Sequence, residues 1–414
     1  MRSTISALAM ATGLILIPIA AHAMVGDASY TRIQRGQYLV RAADCAACHT
    51  DAGGKPFAGG KAIPTPFGKI FATNITPDKE TGIGNWSADN FYRAMHDGIT
   101  REGEHLYPAM PYPWYTRLTR DDVDAIKAYL DTQEPVHNEV RRPELPWPLS
   151  WRGGMTVWND MFFKPGEYKA NPNKSAQWNR GAYLVEGAGH CGACHTPKNR
   201  LGAVKTGDRL AGGDAGEHWY ASDLTKDLRD GLGNWSVNDI AEYLKTGATK
   251  TIAAAGPMAE VIKDSTQYLS DGDLHAIAVY LKDAPPPKHE DKEDRRAGNV
   301  DSRRMMTGAA LYQDHCAACH MENGEGQANV FPSLKSNASV QSAKPDTLVH
   351  LVLQGGRKAG TPARPVEFGM PAFESKLDDK QVADLVTYVR NAWGNRAAAV
   401  GADAVKKMRK DLGR

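Results

Sequence analysis

All six cysteines of this 414-residue chain fall in three copies of one pentapeptide: Cys45-Ala-Ala-Cys48-His49, Cys191-Gly-Ala-Cys194-His195 and Cys316-Ala-Ala-Cys319-His320. C-x-x-C-H is the attachment sequence for c-type haem. Two thiols three residues apart add across the two vinyl groups of one porphyrin, and the adjacent histidine is held under the ring as the proximal ligand of iron. Other uses of a C-x-x-C pair fit less well. Zinc needs a second pair near each first one, and more than a hundred residues separate these. A thioredoxin-like site needs a βαβ setting that no strand pattern here supplies. A disulfide leaves the repeated histidine unexplained. The expectation is three covalently bound haem c groups and a chain that moves electrons.

Length predicts two to three domains. A formal net charge of +2 offers no basis for a nucleic-acid surface. The N-terminus reads as a signal for export. Met1-Arg2 is followed by an apolar run from Ala7 to Ala20, and Ala21-His22-Ala23 supplies small residues for cleavage, so residues 1–23 are expected to be a signal peptide with Met24 the first mature residue. No later segment approaches eighteen consecutive apolar residues, so the mature chain is not expected to span a bilayer. Export is expected to place the protein in the periplasm.

Self-similarity sets the domain plan. Each motif follows a related segment: Arg35-Gly-Gln-Tyr-Leu-Val40, Arg180-Gly-Ala-Tyr-Leu-Val185 and Gly308-Ala-Ala-Leu-Tyr312. The glycine lies 9, 10 and 8 residues before the first cysteine. Each segment reads as a helix whose glycine permits close approach to a closing helix. The closing helices are predicted at 118–130, 269–281 and 377–389, each opened by a polar cap with an acidic first turn. The fold expected is all-α, with three tandem class I cytochrome c domains at 24–135, 176–283 and 301–395. A Pro- and Trp-rich connecting segment (136–175) and a charged linker (284–300) join them, and a basic C-terminal tail (396–414) is expected to be solvated or frayed. The first two units share more: Thr81-Gly-Ile-Gly-Asn-Trp-Ser87 recurs as Asp230-Gly-Leu-Gly-Asn-Trp-Ser236, and the third unit lacks it. Ser87 and Ser236 are predicted helix N-caps. Trp86 and Trp235 read either as haem-edge contacts or as packing of the capped helix.

The repeat also selects a sixth ligand for each iron. His49, His195 and His320 supply one side, and a methionine thioether is the usual choice for the other. Met110, Met258 and Met370 stand eight, eleven and seven residues before their closing helices, each beside a proline that stiffens the loop. Met95 reads as a core residue, Met321 follows His320 too directly, and Met155 and Met161 lie outside any repeat. His105 has no counterpart in the other units and is expected at the surface.

Over nearly its whole mature length the chain resembles the triheme cytochrome c subunits of membrane-bound bacterial dehydrogenases, of the gluconate, sorbitol, fructose, glucose and quinoprotein alcohol dehydrogenase kind. The resemblance rests on Gly36-Gln-Tyr-Leu-Val40, Thr73-Asn-Ile-Thr-Pro-Asp78 with the Thr81–Ser87 string, Gly256-Pro-Met-Ala-Glu260 followed by Ser265-Thr-Gln267, and Met370-Pro-Ala-Phe373. It implies a non-catalytic electron-transfer subunit. The implied partner is a catalytic subunit with a flavin, PQQ or molybdenum centre, and the implied acceptor is ubiquinone or a terminal acceptor, with peripheral membrane contact. Two other classes remain: a free-standing electron carrier, and a haem peroxidase or oxidase subunit, which requires an iron without a methionine ligand.

Overall fold

The computed structural model describes residues 20–285, 300–366 and 369–413, with backbone alone for 20–29. The predicted signal peptide and charged linker therefore lie for the most part outside the described residues.

The pairing of opening and closing helices occurs three times. Ala20–Ala42 packs on Arg120–Leu130, Ala176–Tyr183 on Asp271–Lys282, and Ser302–His315 on Asp379–Val389. The glycines are the reason these helices meet so closely. A Cβ on Gly36 would lie 1.9 Å from the Ala125 carbonyl oxygen, one on Gly181 1.9 Å from that of Ala276, and one on Gly308 2.4 Å from that of Asp384. Any side chain there forces the helices apart. Caps fix where the closing helices start: the Thr119, Ser270 and Asp378 side chains accept from the amides of Asp122, Asp273 and Gln381.

The first two units are interlocked. Arg35 bonds the buried Asp122, and Arg180 bonds Asp273 at 2.7–2.8 Å, each within its own unit. The next contact crosses over. The Tyr38 hydroxyl donates to Asp273 Oδ2 at 2.5 Å and accepts from the Ser270 amide at 3.2 Å. Tyr183 reciprocates, donating to Asp122 and accepting from the Thr119 amide at 3.1 Å. Each opening helix thus completes the capped start of the other unit's closing helix. Behind this seam the apolar residues of both units, from Leu39 and Val40 to Leu274 and Ile277, form one continuous core.

The third unit has its own core around Tyr312, Leu353, Val382, Leu385 and Val386. It meets the second by separate contacts. Tyr220 and Thr347 exchange hydrogen bonds at 2.9 and 3.0 Å, Trp219 stacks on His350 at 4.1 Å, and Arg364 pairs with Glu242 at 2.7 Å.

Three expectations need correction. The fold is helix-dominated but not purely α: antiparallel ribbons join Ala62–Thr65 to Gly68–Phe71, Ala211–Gly216 to Trp219–Asp223, and Gly356–Arg357 to Gly369–Met370. Strands of two to six residues are too short to show a two-residue period in sequence. The C-terminal tail is neither solvated nor frayed. Ala402–Leu412 is a helix whose Val405 and Met408 are buried in the third core, and Arg409 ties it to Asp379 and to the Leu377 carbonyl at 2.8 Å. His105 is no free surface residue either, for its Nδ1 meets the Asn159 amide at 3.1 Å.

The connecting segment wraps the first unit before entering the second. Gly166 donates to Thr116 Oγ1, Tyr168 donates to the Arg117 carbonyl, and the Tyr168 hydroxyl reaches Asn179 at 2.8 Å. No helix among the described residues is long and apolar enough to cross a membrane.

Candidate haem-binding sites

Each C-x-x-C-H motif forms one helical turn at the end of its opening helix: Cys45–His49, Gly192–His195 and Ala317–His320. A left-handed residue, Asp44 at φ 51°, breaks the first opening helix to start the turn. His190 at φ 36°, one residue before Cys191, does this in the second unit after a wide turn over Leu184–Ala188. One turn places cysteines three apart on the same side and the histidine, four after the first cysteine, beside it. All six thiols are free, and the second of each pair is exposed.

Thiol chemistry separates the readings left open by the motif. A redox-active dithiol keeps one thiol acidic. Here burial pushes Cys45 and Cys191 up to about 12 and Cys316 up to about 11, and it raises Cys48 and Cys194 as well. The first thiol of each pair therefore lacks the lowered pKa that disulfide exchange uses.

The histidines carry the strongest signature. His49 donates from Nδ1 to the Thr73 carbonyl at 2.7 Å, His195 to that of Ser222 at 2.7 Å, and His320 to that of Pro332 at 2.9 Å. A carbonyl can only accept, so Nδ1 holds the proton and the Nε2 lone pair is left for a metal. Burial lowers the pKa of all three imidazoles, favouring the neutral form that ligates. Paired thiols and a pre-oriented imidazole on one turn, repeated three times, fit haem c.

The loops that supply the carbonyls are built alike in the first two units. Asn74 and Asp223 accept from the amides two residues on, and Ile83 and Leu232 donate to the Thr76 and Thr225 carbonyls at 2.9 and 2.7 Å. The Gly-x-Gly-Asn-Trp string thereby folds back under the carbonyl that holds the histidine. Ser87 and Ser236 then cap Ala88–Asp97 and Val237–Thr246 with reciprocal capping boxes. Trp86 and Trp235 pack against the shared core, Trp235 edge-on to Tyr243 at 5.5 Å.

The three candidate methionines all lie between motif and closing helix, in different local structures. Met110 ends a turn, its amide on the Tyr107 carbonyl at 3.0 Å, just before the helix Tyr112–Tyr115. Met258 is the second residue of Pro257–Asp264, after a proline at the first helical position. Met370 forms the ribbon Gly369–Met370 and lines an open cleft of about 520 Å³ with Gln354, Arg357 and Pro371. All three are half-buried against apolar clusters. Of the rejected methionines, Met95 lies in the core and Met161 is exposed.

Sequence reasoning missed the histidine acceptors, because a backbone carbonyl leaves no mark on residue type. It also missed Tyr38 and Tyr183. Their recurrence two residues after the crossing glycine, where the third unit has Ala310, was the available signal.

A family model described as Cytochrome c matches residues 33–134 and 305–393, the opening-to-closing spans of the first and third units. The gluconate 2-dehydrogenase cytochrome c subunit of Pantoea cypripedii is 40 % identical over 422 residues, covering 98 % of this chain and 95 % of that protein. The cytochrome c subunit of the quinone alcohol dehydrogenase of Gluconobacter oxydans (strain 621H) is 39 % identical, covering 97 % and 87 %. The fructose dehydrogenase cytochrome subunit of Gluconobacter japonicus is 39 % identical, covering 98 % and 89 %.

Proposed function

The chain belongs to the family of cytochrome c subunits of bacterial dehydrogenase complexes, and from that premise we propose that it is a three-haem relay serving a separate catalytic dehydrogenase subunit. The observation that carries this reading is the threefold repetition of two cysteines on one turn beside a histidine whose Nδ1 is tied to a backbone carbonyl.

Cys45 and Cys48, Cys191 and Cys194, and Cys316 and Cys319 would each hold one haem c, which supplies reversible one-electron chemistry at iron. His49, His195 and His320 are the proximal ligands, and the carbonyls of Thr73, Ser222 and Pro332 fix their orientation. Met110, Met258 and Met370 would supply the second ligand to each iron, which would leave no open position for substrate. The chain is therefore non-catalytic, and each unit is one class I cytochrome c domain within the bounds read from sequence. The catalytic partner carries flavin, PQQ or molybdenum, and the acceptor is ubiquinone or a terminal acceptor. Residues 1–23 direct export, and the mature protein works in the periplasm at the inner-membrane face.

The test is a redox titration of the holoprotein and its Met370→Ala variant. Loss of the thioether lowers the potential of one haem while all three stay covalently attached. An unchanged titration curve removes Met370 from the ligand set.

A further inference from the structure

The C-terminal helix is basic and amphipathic, but its apolar residues Val405 and Met408 are buried in the third core. Exposed apolar side chains gather elsewhere. Trp147, Leu149 and Trp151, then Val157, Met161 and Phe162 of the helix Gly154–Phe162, all stand in solvent, with Trp147 at 84 % exposure and Trp151 at 65 %. Leu201 of the second unit joins them, since the Trp158 indole donates to its carbonyl at 3.0 Å and its side chain is also exposed.

This surface is held in place from behind. The Tyr107 hydroxyl donates to the Leu149 and Ser150 carbonyls at 3.1 and 3.3 Å. Arg152 reaches the His105 carbonyl at 2.7 Å and Glu104 at 3.4 Å. Asn159, buried on the inner side of the helix, accepts from the Tyr112 hydroxyl at 2.6 Å. Arg152 and Asn159 are turned inward onto the Met110 loop, while Val157, Met161 and Phe162 share the exposed side of the helix with Thr156 and Asp160. A segment folding only for its own core would do the reverse.

We propose that this surface rests in the headgroup region of an anionic lipid bilayer and holds the Met110 side of the first unit against the membrane. The proposal builds on the membrane-associated relay above and names the face that makes the contact. Two observations favour lipid over a protein partner. Tryptophan rings as exposed as Trp147 and Trp151 stand clear of any pocket, which suits a soft interface where indoles settle at headgroup depth. The flanking charge is basic: residues 141–164 hold four basic against two acidic side chains, and residues 196–205, around Leu201, hold Lys198, Arg200 and Lys205 with no acid. Aromatic and aliphatic side chains set among lysines and arginines are the pattern of an interfacial segment on anionic lipid.

The experiment is flotation of the purified holoprotein with phosphatidylglycerol/phosphatidylcholine vesicles and with pure phosphatidylcholine vesicles. The wild type floats with the first and more weakly with the second. Trp147→Ala combined with Leu149→Ser weakens binding about tenfold or more, as does Val157→Gln combined with Met161→Gln, while thermal unfolding is unchanged. Failure of the wild type to float, or variants that float as it does, overturns the proposal. So do variants that keep vesicle binding but no longer co-purify with the catalytic subunit, which makes this a protein-docking face. Haem content measured on the wild-type sample separates the two readings: a count below three contradicts the relay, whereas a wild type that carries three haems and does not float contradicts only the membrane contact.

Discussion

The first two units and the third are built on the same helix pair, yet they are joined to their surroundings by different means. Units one and two share one apolar core and exchange tyrosines, each supplying a hydroxyl to the aspartate at the start of the other's closing helix. The third keeps a core of its own, closes it with the C-terminal helix, and touches the second through polar pairs, the Trp219–His350 stack and a small apolar cluster of Ala254, Ile262 and Ala359. The lesson is that a repeated unit does not dictate a repeated interface. Two residues after the crossing glycine, tyrosine gives an interlocked pair and Ala310 gives an independent unit.

The comparison breaks most visibly at the crossing glycines. Gly181→Leu puts a side chain onto the Ala276 carbonyl inside the shared core, at a cost of about 3 kcal/mol or more. Both the first and second haems are expected to be lost together. Gly308→Leu is expected to remove the third haem alone. Mass mapping of haem-bearing peptides distinguishes these outcomes, and equal loss at all three sites from either variant would erase the distinction between pair and single unit.

A smaller effect is expected from the tail. Met408→Ala opens a cavity in the third core and costs that unit about 2 to 3 kcal/mol, leaving the pair untouched. Calorimetry should show one transition moving and the other holding still.

The tyrosine exchange comes next. Tyr38→Phe and Tyr183→Phe each strip one donor from an aspartate at the seam, costing about 1 to 3 kcal/mol apiece. Similar losses from the two variants support the reciprocal arrangement, and a loss from one variant alone contradicts it.

The subtlest test lies within the pair. Where the first unit has Thr81 the second has Asp230, whose carboxyl burial, with Asp227 beside it, pushes up to about 7. A carboxyl raised in the folded state favours folding fully below its ordinary value near 4, and that stability is lost as pH rises through about 7. Asp230→Thr is expected to raise the melting temperature at pH 8 by a few degrees and to change it little at pH 4. A pH-independent difference would show that Asp230 stays ionised throughout.

What could be read from sequence followed from how local each feature is. The cysteine motifs, the crossing glycines and the caps at Ser87, Thr119, Ser236 and Ser270 are short-range signals, and each predicted helix lies where its signal placed it. The ribbons were too short to carry a period. The tail showed its basic residues but not the core that its Val405 and Met408 fill. The Tyr38–Asp273 contact joins residues far apart in the chain, so the tyrosine that recurs after the crossing glycine marks the residue but not its partner. The histidine acceptors are main-chain atoms, legible only once the Thr73, Ser222 and Pro332 loops are seen in place.

The central claim is that every C-x-x-C-H turn holds a haem, and peptide mapping of the holoprotein together with its haem-to-protein ratio tests it most directly. The account predicts three haems per chain, attached at Cys45 and Cys48, Cys191 and Cys194, and Cys316 and Cys319. A free or disulfide-bonded pair at any one of the three turns would contradict it.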